Sequence, residues 1–310
     1  MKKILVCGLG SIGQRHLRQI KSIKNNSFEI CALRSRKIDF IISDNLVDSV
    51  EGSPEEYYKI NVFYNIQEAL EWKPDAVFVT NPISMHVSTA LRMAENGSHI
   101  FIEKPLDSST KEVSLLKNLV KEKKLVCMIG YQLRFHPGYL KVKELIVKNL
   151  LGRICYADLH FGEWLPGMHP YEDYRISHAS RSEEGGGVIF CLSHKIDLAY
   201  WLFGMPKSIY CAGGKLSNLE IDVEDTADMI LNFVSKDKIF PTHIHLDFLQ
   251  KSKKCYLHIV GDKGSVYFDY CTNQISIEIE DSKKEIISFN KFERNDMFRK
   301  EISAFFQAIK

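Results

Sequence analysis

The chain has 310 residues, 45% of them apolar and 26% charged, with a net charge of +2. This is the balance of a globular protein long enough for two cores, and it excludes extended disorder. Lysines are interleaved with acids, so the chain builds no basic face for nucleic acid or an anionic membrane, and any anionic ligand must be held by local groups.

Met1-Lys2-Lys3 leads into only a short apolar run before Gly8. That run is far too brief for a signal peptide core or a membrane helix, and the expected location is cytoplasmic. The cysteines (Cys7, Cys31, Cys127, Cys155, Cys191, Cys211, Cys255 and Cys271) form no CxxC pair and no Cys/His metal spacing. They read as reduced, buried fillers.

In the first third, short apolar runs alternate with helix-period segments, the pattern of a parallel sheet with crossover helices. Strands are expected at 3–7, 29–33, 62–64, 76–79, 99–102 and 126–129, and helices at 11–24, 66–72, 85–96 and 110–123. This is an α/β, doubly wound, dinucleotide-type domain, taken as residues 1–125. The second domain, 126–310, begins with a helix at 139–149 and a strand at 153–161. Residues 162–184 are rich in Gly, Pro, His and charge and carry Trp164, Tyr171 and Tyr174, so they read as a binding loop. A helix from Val188 carries Leu192, Ile196, Leu198, Trp201 and Leu202. Strands near 208–213, 225–233, 240–248, 254–260, 265–269 and 274–289 then follow one another without helices, which implies a large, mostly antiparallel sheet. A last helix starts at about Met297.

Gly8-Leu9-Gly10-Ser11-Ile12-Gly13 follows the first strand and opens the first helix. The first glycine allows the tight turn, the second lets backbone approach a pyrophosphate, and the third allows close helix-to-strand packing. Gly8, Gly10, Ser11, Ile12 and Gly13 are therefore candidate cofactor residues. The second strand ends in Arg34-Ser35-Arg36-Lys37, where an NAD enzyme usually places an acid on the ribose. A hydroxyl and guanidinium groups suit a 2′-phosphate, so Arg34, Ser35 and Arg36 favour NADP over NAD, although Arg also tolerates NAD. Thr80, Asn81 and Pro82 end the fourth strand at the ligand edge, and His86 just beyond either reaches a ligand or caps a helix.

Lys104 stands between Glu103 and Pro105 where a buried parallel strand should end, and ligands collect at such ends. Gly185-Gly186-Gly187 precedes a helix on which Cys191, His194 and Asp197 recur every three residues and so share a face. A histidine there can serve as a general base. The loop side chains Trp164, His169, Tyr171, Tyr174 and Arg175 offer aromatic faces and a fork for an anionic group, with packing between domains as the alternative. His243, His245 and Asp247 alternate along one strand, but ligands along a flat strand converge poorly on one ion, so no metal is expected.

On these motifs, together with TNPISMH at 80–86, GYQLRFHP at 130–137 and LSHKID at 192–197, the chain resembles the Gfo/Idh/MocA family over nearly its whole length. The resemblance implies a Rossmann domain, a second α/β domain whose sheet mediates a homo-oligomer (dimer or tetramer), and hydride transfer between a nicotinamide and a hydroxyl-bearing carbon of a sugar, sugar derivative or cyclic polyol. It adds Glu103, Lys104 and Gln132 to the cofactor site and places Lys104, Cys191 and His194 against substrate, where the loop's Tyr174 and Arg175 join them as candidates for a sugar or nucleotide sugar. Lys104 would orient substrate and His194 would exchange the hydroxyl proton. LSHKID faintly suggests surface-sugar synthesis. Cys191 takes the place of the family's usual aspartate, which weakens the proton relay or reroutes it through Asp197, and opens the alternative of a catalytically weak NADP-binding sensor or scaffold. The chain stops soon after Phe305-Phe306, where relatives continue through another helical segment.

Overall fold

The computed structural model describes residues 2–23, 28–35, 40–43 and 49–310. The first unit runs β1 (Lys2–Cys7), α1 (Ser11–Lys21), β2 (Phe28–Leu33), β3 (Phe40–Ile42), β4 (Ser49–Glu51), α2 (Pro54–Tyr58), β5 (Asn61–Phe63), α3 (Ile66–Glu71), β6 (Ala76–Val79), α4 (His86–Glu95), β7 (His99–Glu103), α5 (Val113–Glu122) and β8 (Cys127–Gly130). Six of these strands form one parallel sheet in the order β5-β2-β1-β6-β7-β8. Its central strands are unbroken apolar runs, and every residue of β6 is buried, because helices cover both faces. The sheet takes β8 at 127–130, so the first unit extends past the 125/126 division that the composition suggested.

The second unit runs α6 (Pro137–Val147), β9 (Ile154–Gly162), α7 (Leu165–Met168), α8 (Val188–Cys191), α9 (His194–Phe203), β10 (Ser208–Gly214), β11 (Thr226–Ser235), β12 (Lys238–Asp247), β13 (Lys254–Gly261), β14 (Gly264–Asp269), β15 (Gln274–Ile279), β16 (Glu285–Ser288) and α10 (Arg294–Ala308). Its eight strands are ordered β10-β11-β12-β9-β13-β14-β15-β16, antiparallel except where β9 lies parallel to β12. One face of this sheet packs on α6, α8 and α9 around Tyr139, Leu198, Phe233, Ile244 and Leu257. The other carries the alternate, partly exposed residues, as β11 and β12 show in their burial pattern.

Three expectations need correction. The helix expected from Val188 is broken at Leu192-Ser193 into α8 and α9, so Cys191, His194 and Asp197 do not lie along one helical face. The strand expected over 274–289 is a hairpin, turned at Asp281, which takes a left-handed conformation (φ 60). The last helix opens earlier, at Arg294, and crosses back to the first unit. There Ile302, Phe305 and Phe306 join Ile4, Val6, Phe78 and Phe101, with the Phe305 ring edge-on to Phe78 and Phe101 at centroid separations of 5.5 Å and 5.6 Å.

Candidate functional site

The glycine turn lies against the end of β6. Gly8 adopts φ +100, and a Cβ there would meet the Thr80 carbonyl at 2.9 Å; a Cβ at Gly13 would fall 2.0 Å from the Gly8 carbonyl oxygen. Glycine is required at both positions by backbone, not by chance composition. Around Gly10 a Cβ would meet nothing within 4 Å, and α1 opens there without a side-chain cap, the arrangement by which a helix N-terminus receives a phosphate. Thr80 Oγ donates to the Cys7 and Gly8 carbonyls at 2.9 Å each and so joins the two strand ends. These elements form one wall of a cleft of about 850 Å³ that also includes Ser11, Ile12, Arg34, Ser35, Asn81, Pro82, Glu103, Lys104, Gln132, Tyr174, Cys191 and His194. The Asn81 Oδ1 atom is buried there without a hydrogen-bond partner among the described residues. A glycine cradle, an uncapped helix start and a buried unsatisfied amide oxygen together fit a dinucleotide.

Arg34 is less available than the sequence implied. Its guanidinium is buried and ion-paired with Glu55, which stands on α2, a helix the apolar periodicity did not announce. Ser35 faces the cleft, while Arg36 lies outside the described residues. His86 is also redirected. Its ring is 1% exposed and sits 2.9 Å from both the Pro105 and the Asn81 carbonyls, so it clips together the loops that follow β6 and β7.

The Glu103 carboxylate meets His16 Nε2 at 2.6 Å and accepts from the Lys104 backbone N–H at 3.0 Å. Burial pushes that carboxyl up, but the hydrogen bond and charge of His16 and the charge of Lys104 outweigh it and hold it below the ordinary value. The Lys104 ammonium donates to the Cys191 carbonyl at 2.7 Å and links the two domains across the cleft. His194 opens α9, buried, with Nε2 3.2 Å from the Gln132 side-chain amide and Nδ1 without a partner among the described residues. Burial drives its pKa well below the usual histidine value, and Lys104, Arg294, Lys195 and Lys253 drive it further. The imidazole is therefore neutral at neutral pH and can accept a proton.

Asp197 does not orient His194. Its carboxylate is taken in a two-point pair by Arg134, so the rerouted relay has no geometric basis. Burial pushes the Cys191 thiol up to about 11, against the opposing charge of Lys104, and Cys191 is a thiol packed beside Lys104, not a thiolate partner for imidazolium. Arg175 is likewise displaced from the site: it bridges Asp173 and Glu220 on the surface and does not border the cleft. Trp164 packs on the second core, whereas His169, Tyr171 and Tyr174 do line the cleft. Four cations the sequence did not single out, Arg15, Arg92, Lys253 and Arg294, border the cleft, and Lys253 and Arg294 act on His194. On the second sheet's open face, His243 bonds Asp158 and Asp228, and His245 bonds Asp228 and Asp247. The side chain that converges with His245 and Asp247 is His160 from the neighbouring strand, not His243.

A parallel sheet with a glycine phosphate turn, and a lysine and a buried histidine brought into one cleft from two domains, define a nicotinamide-dependent oxidoreductase. Residues 2–131 match the model described as oxidoreductase family, NAD-binding Rossmann fold, and residues 139–267 match the GFO/IDH/MocA C-terminal domain; the chain belongs to the Gfo/Idh/MocA family. It is 31% identical to scyllo-inositol 2-dehydrogenase (NAD(+)) of Bacillus subtilis, over 87% of this chain and 74% of that protein. It is 23% identical to myo-inositol 2-dehydrogenase of Thermotoga maritima, over 99% of this chain and 88% of that protein. Its fold is similar to that of levoglucosan dehydrogenase in complex with NADH and levoglucosan, with a TM-score of 0.81 at 16% identity, over 99% of this chain and 89% of that one. Among the described residues no helix is long and apolar enough to cross a membrane.

Proposed function

We propose that the chain transfers a hydride between a nicotinamide cofactor and a hydroxyl-bearing carbon of a sugar, sugar derivative or cyclic polyol. The observation that carries this reading is the convergence of Lys104 and His194 on one cleft beside the glycine turn. His194, neutral and buried, takes the hydroxyl proton during oxidation and returns it during reduction. Lys104 orients the hydroxyl and stabilises negative charge developing on its oxygen, with Glu103 fixing the lysine's backbone and Gln132 fixing the imidazole. When bound, the nicotinamide supplies the hydride chemistry. The preference for NADP over NAD now rests on Ser35 and Arg36, because Glu55 competes for Arg34. The open face of the second sheet is the proposed contact between copies of the chain.

The His194 Nδ1, without a partner among the described residues, and the thiol at position 191 favour one rival: a protein that binds the cofactor and turns over slowly or not at all. Reduced-nicotinamide absorbance, followed with a panel of sugars and polyols, separates the two. Turnover by the parent chain, lost by roughly a hundredfold or more in His194→Ala, supports the dehydrogenase. Cofactor binding with no turnover across the panel supports the rival. Cys191→Asp should raise kcat by giving the imidazole a carboxylate; a rate that does not rise removes the argument from the missing acid.

A further inference from the structure

The acids of the cleft near the proposed reaction centre already have partners. Glu103 is held by His16 at 2.6 Å, Glu172 by His169 at 3.0 Å, and both oxygens of Glu163 by Lys253 at 3.0 Å. Two cations there have no acidic partner among the described residues. The Lys104 ammonium rests on a backbone carbonyl, and no carboxylate lies within ion-pair distance of it among the described residues. Arg294, the first residue of α10, borders the same cleft, is exposed, and has no hydrogen-bond or ion-pair partner among the described residues. Its neighbour Glu293 is engaged elsewhere, exchanging capping bonds with Asp296 and meeting Arg299 at 3.5 Å. At position 191, where a carboxylate would have balanced them, the chain has a thiol.

We propose that the substrate carries its own anionic group, a carboxylate or a phosphate, and that Arg294 receives it on the His194 side of the cleft, with Lys104 facing the reacting hydroxyl. The inference rests on the sugar or polyol reading above and narrows it to acidic sugars or sugar phosphates. A guanidinium fork matches both anions in two-point geometry. It also explains how a site lacking the acid at 191 can work. After burial, the largest influences lowering the His194 pKa are the cations Lys104, Arg294, Lys195 and Lys253, and an anion bound among them offsets that field and makes the imidazole a stronger base. The expected anion-binding arginine of the loop, Arg175, is thereby replaced by one from the far end of the chain.

The test uses the NADH-loaded chain and matched probes: neutral glucose and its anionic relatives glucuronate and glucose 6-phosphate. Binding is read from NADH fluorescence, which also reports in the same tube that a variant is folded. At least one anionic member should bind roughly tenfold tighter than its neutral parent. That advantage should shrink to about twofold or less in Arg294→Ala, survive in part in Arg294→Lys, and weaken with added salt. Absence of any advantage, whether because both members bind equally or because neither binds, overturns the proposal, as does an advantage that persists in Arg294→Ala. Rapid oxidation of neutral sugars with no anion preference would sink this inference and leave the dehydrogenase reading standing. Anion preference without turnover would do the reverse.

Discussion

Glu301 on α10 is fully buried, and neither of its carboxyl oxygens has a hydrogen-bond partner among the described residues. Burial, reinforced by the negative charges of Glu103 and Asp197, pushes its pKa well above the ordinary glutamate value. The folded chain therefore keeps a proton that the unfolded chain releases above about pH 4.3. Because the folded state binds more protons, the free energy of unfolding falls as pH rises. The stability tied to this proton is complete below the unfolded pKa and is lost as pH climbs through the folded one. One proton corresponds to a slope of about 1.4 kcal/mol per pH unit. Glu301→Gln keeps the shape and cannot ionise, so it removes the slope. From about pH 5 to 7 the variant should gain up to roughly 3 kcal/mol on the parent, read from urea unfolding midpoints of both proteins at several pH values with unchanged m. A difference between the two that is flat with pH would refute the reasoning, since it would mean that the folded chain does not protect this proton.

Gly13→Ala would set a methyl 2.0 Å from the Gly8 carbonyl oxygen and 2.9 Å from Thr80 Oγ, and the closer contact can be relieved only by moving backbone. The expected loss is about 1–3 kcal/mol, seen as a lower thermal midpoint together with weaker NADH binding; an unchanged melt and affinity would mean that the turn is softer than its contacts imply. Glu55→Gln weakens the grip on Arg34 and should raise the ratio of NADP to NAD affinity, by up to roughly tenfold. A ratio that does not move would show that Arg34 has no part in cofactor choice.

The parallel sheet was legible because buried strands are written as unbroken apolar runs, and β6 matches its expected residues from Ala76 to Val79. The helix α2 was missed although its start is spelled out: Ser53 caps the Glu56 N–H and Pro54 stands in the first turn, but the element is too short to show apolar periodicity. The hairpin of β15 and β16 hid because its strands are similar in character and only the polar Asp281 turn divides them. In the site, glycines and the Glu103-Lys104-Pro105 strand end can be read locally, since their roles follow from backbone position. Partnerships cannot. That Asp197 serves Arg134 and that Arg294 faces a cleft built around His194 depend on contacts between segments far apart in sequence.

The placement of α10 also has a consequence for how the chain is made. The first sheet leaves the ribosome early, yet the apolar face bearing Phe78 and Phe101 is covered by Ile302, Phe305 and Phe306, which are synthesised long after it. Vectorial synthesis thus delivers the nucleotide-binding half with an uncovered aromatic surface, and that half must wait for the much later α10 before its core is closed.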